Sequence, residues 1–307
     1  MWVLLCVIVA LVLLPIGMEA RRRKMDAAAR ANATGEFAEL SQGVTHYQWH
    51  GTARGPICVC IHGLSTPSFV FATLAQGLGA LGFRVLTYDL YGRGLSDRPG
   101  GVQDSDFFLR QLEDLLEAHG IREDITLVGY SMGGAIASAY AAKSPGALRR
   151  LILLAPAGFH LALGAAAERL LSLPVLGDWA LALALPLSLR KDARAEGPSS
   201  TVEGLPQAQI GELRYRGYVP AIISSLHGIL DEDFQARHEA ISRTDLPVMA
   251  IWGEADQTIP MRAMGTLTKW NRMAHHTVIE GGGHGIPHTH PDAVLAAIRA
   301  EVQGENG

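Results

Sequence analysis

Three residues that together could activate a hydroxyl sit in glycine-rich settings of this 307-residue chain. They are Ser131 in Gly129-Tyr130-Ser131-Met132-Gly133, Asp256 in Trp252-Gly253-Glu254-Ala255-Asp256, and His284 in Gly281-Gly282-Gly283-His284-Gly285. A serine hydroxyl is a poor nucleophile near neutral pH, so attack on an acyl carbon needs a base that takes its proton and returns it to the leaving group. His284 is the expected base, and Asp256 the carboxylate that would fix its tautomer and stabilise the imidazolium. Glu254 is the competing acid, expected to face the other side. His275, His276, His288 and His290 compete for the base. The glycine run and a strand-end position select His284, while His288 and His290 read as helix-entry residues.

These residues need elements that bring them together. Ile125 to Val128 is a β-rich apolar run that ends at the Gly-x-Ser-x-Gly turn, and Gly134-Ala135-Ile136-Ala137 then continues as a helix of small residues. A strand reversing sharply into a helix crowds its own backbone, and glycine lacks the Cβ that would clash. Ser131 would sit at the apex, with the Met132 N–H at the helix N-terminus, where it can face a developing oxyanion. The run Pro56 to Ile61 is apolar on both faces, as a central parallel strand should be, and ends in His62-Gly63-Leu64-Ser65. The Leu64 N–H is the candidate second oxyanion donor, and His62 reads as a loop-organising histidine. After the strand Arg84 to Tyr88, Asp89, Arg93 and Ser96 are expected to tie the following loop by hydrogen bonds rather than to do chemistry.

Along the chain, segments Glu36 to Leu40 and Val44 to His50 read as an antiparallel hairpin. Strands and helices then alternate up to Leu151–Pro156 and resume at Leu246–Trp252 and His276–Ile279, the pattern of a doubly wound, mostly parallel sheet. Asp104 to His119 carries a helical stripe of Phe107, Phe108, Leu112, Leu115 and Leu116. Residues 157–244 hold no convincing strand. Their apolar helical stretches, at Phe159 to Leu173, Val175 to Leu189, Gln207 to Tyr215 and Tyr218 to Leu230, read as an inserted cap over the carboxyl edge of the sheet. Pro174, Gly177 and Pro186 interrupt that region too often for a membrane span.

Trp2 to Met18 is an uncharged apolar run followed by Arg21-Arg22-Arg23-Lys24. At about 1.5 Å per residue it reaches the lower limit for crossing a bilayer core. A cleaved leader would carry its positive charge before the apolar run, so an uncleaved anchor fits better. The basic cluster would keep the body on the cytoplasmic side. Net charge is −4, and no basic field for nucleic acid is present. Of the three cysteines, Cys58 and Cys60 lie two apart on one strand face and read as buried free thiols. No Cys/His spacing resembles a zinc site, and no glycine-rich dinucleotide fingerprint follows the first parallel strand.

Taken jointly, His62-Gly63, Gly129-Tyr130-Ser131-Met132-Gly133, Asp256 in its Trp-Gly-Glu-Ala-Asp and His284 in its Gly-Gly-Gly-His-Gly resemble the α/β-hydrolase family, from residue 36 to 307. The resemblance implies an α/β-hydrolase fold in which residues 36–156 and 245–307 form the core, 157–244 a helical cap, 1–24 a membrane anchor and 25–35 a spacer. It implies catalytic Ser131, Asp256 and His284, oxyanion donors Leu64 and Met132, and no cofactor or metal. The serine sets the chain apart from haloalkane dehalogenases and epoxide hydrolases, whose nucleophile is an aspartate. Membrane-tethered monoacylglycerol lipases look similar in anchor and apolar cap, which implies a small-molecule acyl ester or lipid as substrate. The same triad serves thioesterases, carbon–carbon bond hydrolases, amidases and acyltransferases, and a catalytically silent binding protein is the alternative from another class.

Overall fold

The strands are β1 (Glu36–Leu40), β2 (Gly43–Gly51), β3 (Ile57–Ile61), β4 (Arg84–Tyr88), β5 (Ile125–Tyr130), β6 (Leu148–Leu154), β7 (Val248–Gly253) and β8 (His275–Ile279); β3 to β7 fall on the apolar runs, whereas β1, β2 and β8 are more polar and partly exposed. The computed structural model, which describes residues 1–304 other than 160, 161 and 163, joins them in one sheet ordered β1-β2-β4-β3-β5-β6-β7-β8. The hairpin β1–β2 and the β2–β4 pair are antiparallel, and every pair from β4 to β8 is parallel. β5 and β7 are buried along their whole length, because helices cover both faces of the sheet.

The helices in chain order are α1 (Trp2–Ala20), α2 (Ala27–Arg30), α3 (Ala72–Ala80), α4 (Ser105–Ala118), α5 (Met132–Lys143), α6 (Ala165–Leu171), α7 (Leu176–Glu196), α8 (Leu205–Glu212), α9 (Tyr218–His227), α10 (Gln235–Ile241), α11 (Arg262–Trp270), α12 (Ile286–Thr289) and α13 (Pro291–Gly304). α4 shows how local chemistry sets an element. Asp104 caps it by accepting from Phe107 N–H at 2.9 Å, a contact worth about 1 kcal/mol, and Phe107, Phe108, Leu112, Leu115 and Leu116 are buried as their spacing requires. Helices α6 to α10 all fall between β6 and β7. α1 has no buried residue and is long and apolar enough to cross a membrane.

Of the helical stretch expected from Phe159 to Leu173, positions 160, 161 and 163 lie outside the described residues, and α6 covers Ala165–Leu171. α7 runs through Pro186, as the expected stretch Val175 to Leu189 does, since an internal proline removes one backbone donor without necessarily ending a helix, but it continues past Leu189 to Glu196 through a charged last third. Ser68–Phe71 is a 3₁₀ turn leading into α3. Cys58 and Cys60 are both buried and free.

Candidate active site

Ser131 sits between β5 and α5 with φ 54° and ψ −119°, a conformation that few non-glycine residues adopt. The crowding that demands glycine beside it is measurable. A Cβ on Gly129 would lie 2.4 Å from Gly133 O, and one on Gly133 would lie 2.0 Å from Ile61 O. The turn therefore closes only with glycine at both positions, and it places Met132 as the first residue of α5, whose N–H has no partner within the helix.

The loops after β7 and β8 complete the cluster. His284 Nε2 accepts from Ser131 Oγ at 2.9 Å, and His284 Nδ1 donates to Asp256 Oδ2 at 2.8 Å. The other oxygen of Asp256 accepts from the backbone N–H of Thr258 and of Ile259, each at 2.8 Å, which fixes the carboxylate plane. That arrangement puts the imidazole proton on Nδ1 and leaves Nε2 free to take the serine proton. Asp256 is sheltered, its side chain 1% exposed against 16% for His284.

The loop after β3 faces the same cavity. His62 accepts Leu90 N–H on Nε2 at 2.9 Å and donates from Nδ1 to Gly63 O at 2.8 Å. Complete burial pulls its pKa down to about 4, so it stays neutral and holds the loop. Among the described residues the Leu64 N–H has no hydrogen-bond acceptor, which leaves it available to a ligand. The cavity, about 200 Å³, is lined by Gly63, Leu64, Tyr130, Ser131 and His284 on one side and by Leu189, Asp192, Glu196, Gln209 and Tyr218 on the other.

The competing residues lie elsewhere. Glu254 Oε2 accepts from Gly281 N–H at 2.9 Å on the exposed side of its loop. His275 pairs with Glu301, His276 with Trp252 and Thr268, and His290 with Thr289. His288 is buried beneath the loop, 3.8 Å from Glu196, and burial lowers its pKa to about 4. Asp89 is structural in its contacts: its carboxylate accepts from His46 Nδ1, Ser68 N–H and Leu95 N–H. Burial alone would lower the His46 pKa. The hydrogen bond and charge of Asp89 outweigh that and raise it.

Residues of the cavity wall supplied by α7, α8 and α9 were not singled out by their sequence. Glu196 stands on the last turn of α7, and its carboxyl is raised above its ordinary value by burial, against the pull of His284. Its only sequence signal is a carboxylate four residues after Asp192, a spacing common on solvated helices. Among the described residues no group of three or more His, Cys, Asp or Glu is placed to hold a metal ion.

Comparison with known proteins bears on the whole arrangement. A family described as alpha/beta hydrolase fold matches residues 56–291. Lipase 1 of Psychrobacter immobilis is 27% identical over 251 residues, which cover 78% of this chain and 74% of that protein. The crystal structure of a bromoperoxidase from Bacillus anthracis superposes with a TM-score of 0.74 at 23% identity, over 88% of this chain and all of that one. That of a membrane phospholipase A reaches 0.70 at 20% identity, over 99% of this chain and 96% of the other.

Proposed function

The chain belongs to the α/β-hydrolase family, and from that premise we propose that it hydrolyses carboxylic esters through an acyl-enzyme on Ser131, with lipid-like esters such as monoacylglycerols as substrates. The observation that carries the reading is the relay of 2.9 Å from Ser131 Oγ to His284 Nε2 and 2.8 Å from His284 Nδ1 to Asp256 Oδ2 at one wall of a cavity. Ser131 Oγ attacks the ester carbonyl while its proton passes to His284. The tetrahedral oxyanion takes hydrogen bonds from the Leu64 and Met132 amides, and His284 returns the proton to the departing alcohol. Water, giving a proton to His284, then attacks the acyl carbon, and His284 passes that proton to Ser131 Oγ as the C–Oγ bond breaks and the acid leaves. Each oxyanion amide is worth about 10²–10³ in turnover.

Residues 157–244 act as a cap whose helices α7 to α9 close the cavity over the reacting atoms. Residues 1–24 anchor the chain in a membrane, with 25–35 as spacer and the body on the cytoplasmic side. The apolar, unburied α1 and the basic cluster behind it support this part of the reading. Similarity to a lipase supports the substrate class.

Hydrolysis of p-nitrophenyl esters across acyl lengths, followed by monoacylglycerols against thioesters, tests the substrate. The expected result is a preference for acyl chains longer than acetyl and a gain in rate when substrate is presented in micelles. Preference for acetyl esters, with no gain from micelles, would remove the lipid part of the proposal.

A further inference from the structure

The loop that carries Leu64 is held from the side of α8 and α9. Ser65 O accepts from Tyr218 Oη at 2.7 Å, and Thr66 Oγ1 accepts from Gln209 Nε2 at 2.7 Å. Leu64 O accepts from Arg93 Nε at 2.9 Å, and the same fully buried guanidinium reaches on to Ser225 Oγ of α9 at 2.8 Å. The loop is thus tied to α8 through Gln209 and to α9 through Tyr218 and, by way of Arg93, Ser225.

The start of α9 is in turn fastened to the foot of α1. α9 follows Gly217, which has no side chain with which to cap it. An acceptor for the N–H of Gly217 itself comes from 198 residues away: Glu19, on the last turn of α1, takes it on Oε1. Its Oε2 is held by Arg22 Nη1 at 2.6 Å. A carboxylate at a helix N-terminus is favoured by the amide dipoles there. Beside it, Arg23 N–H donates to Arg214 O at 2.9 Å and Arg216 N–H donates to Arg23 O at 2.7 Å, a short parallel bridge. Gly217 itself has φ 90°, and a Cβ on it would lie 2.5 Å from Arg98 Cγ, so the entry into α9 is tightly determined.

We propose that Glu19 and Tyr218 are positioning residues for the oxyanion loop. The carboxylate at the foot of α1 caps α9, α9 aims the Tyr218 hydroxyl at Ser65 O, and that bond sets the Leu64 amide relative to Ser131. The proposal rests on the reading of Ser131 as nucleophile and of Leu64 N–H as an oxyanion donor. It makes turnover depend on the seating of the N-terminal helix, because preorganised donors lose their effect when their support shifts.

The test uses the full chain in detergent with a soluble p-nitrophenyl ester. Tyr218→Phe should lower kcat about tenfold with KM within about twofold, and Glu19→Ala should lower kcat about threefold. Glu19→Gln should restore most of the rate, since an amide oxygen can accept the Gly217 N–H. The double variant should be no slower than Tyr218→Phe alone, because the two residues act along one path. Hydrogen–deuterium exchange needs no turnover and should rise in residues 63–66 in both single variants. Wild-type kcat and wild-type exchange in Glu19→Ala would overturn the proposal, as would losses that multiply in the double variant or a lowered Tm with kcat unchanged. If Ser131→Ala kept wild-type turnover, the catalytic reading would fail instead, and the exchange measurement would still decide whether Glu19 and Tyr218 hold the loop.

Discussion

Asp256 and Glu254 stand two residues apart on the loop after β7 and face opposite ways, Asp256 toward His284 Nδ1 at 2.8 Å and Glu254 toward the exposed Gly281 N–H at 2.9 Å. Asp256→Asn keeps an oxygen for the Thr258 and Ile259 amides but removes the charge that fixes the imidazole tautomer, so kcat should fall by about 10³–10⁴. Glu254→Gln should leave kcat within about twofold, since a group that touches no reacting atom contributes little to the transition state. Steady-state hydrolysis of one soluble ester by the two variants checks both. Equal losses would mean that the carboxylates have been assigned the wrong roles.

Gly133→Ala tests the turn beneath the serine. The new Cβ would lie 2.0 Å from Ile61 O, a backbone atom in a buried strand that cannot swing aside. Overpacking of this kind should cost at least about 2 kcal/mol of stability, measured by urea denaturation. A variant as stable as the wild type would show that β3 and the turn can separate freely.

How far this arrangement could be read beforehand depends on where its information lies. The positions of Ser131 and Asp256 were legible because each follows a buried apolar strand at a glycine-marked end, and that of His284 because a glycine run follows the short strand before it; a parallel sheet gathers such ends on one edge. Arg93 was legible only as a tie within its own loop. Its bond to Leu64 depends on the placement of the loop after β3, 29 residues away, and that to Ser225 on the placement of α9, 132 residues away, which no local pattern encodes. α7 was legible through Pro186 only as far as Leu189, because its last third, Arg190 to Glu196, is charged and carries no apolar stripe. α10 had no recognisable apolar stripe in its seven residues. Tyr218 and Glu19 read as a helix start and an anchor flank, and only their bonds to Ser65 and Gly217 show what they hold.

A pH dependence of stability should come from Glu212. Burial raises its carboxyl to about 7, against the opposing pull of Arg98, whose guanidinium lies 3.4 Å away. In the folded chain this group keeps its proton at pH values where the unfolded chain has lost it. Its contribution to stability is therefore complete below about pH 4.5 and is lost as pH rises to about 7. The Tm of the wild type minus that of Glu212→Gln should decline over that interval. A difference that stays constant or grows with pH would contradict the assignment.

The central claim is that Ser131 is a nucleophile activated by His284, and covalent labelling reads it most directly. Intact-protein and peptide mass spectrometry after treatment with a fluorophosphonate should show one adduct, on Ser131, in the folded wild type. The adduct should be absent in Ser131→Ala and form at least about 10³-fold more slowly in His284→Ala. A folded wild type that resists the reagent, or equal labelling of the Ser131→Ala variant, would contradict the account.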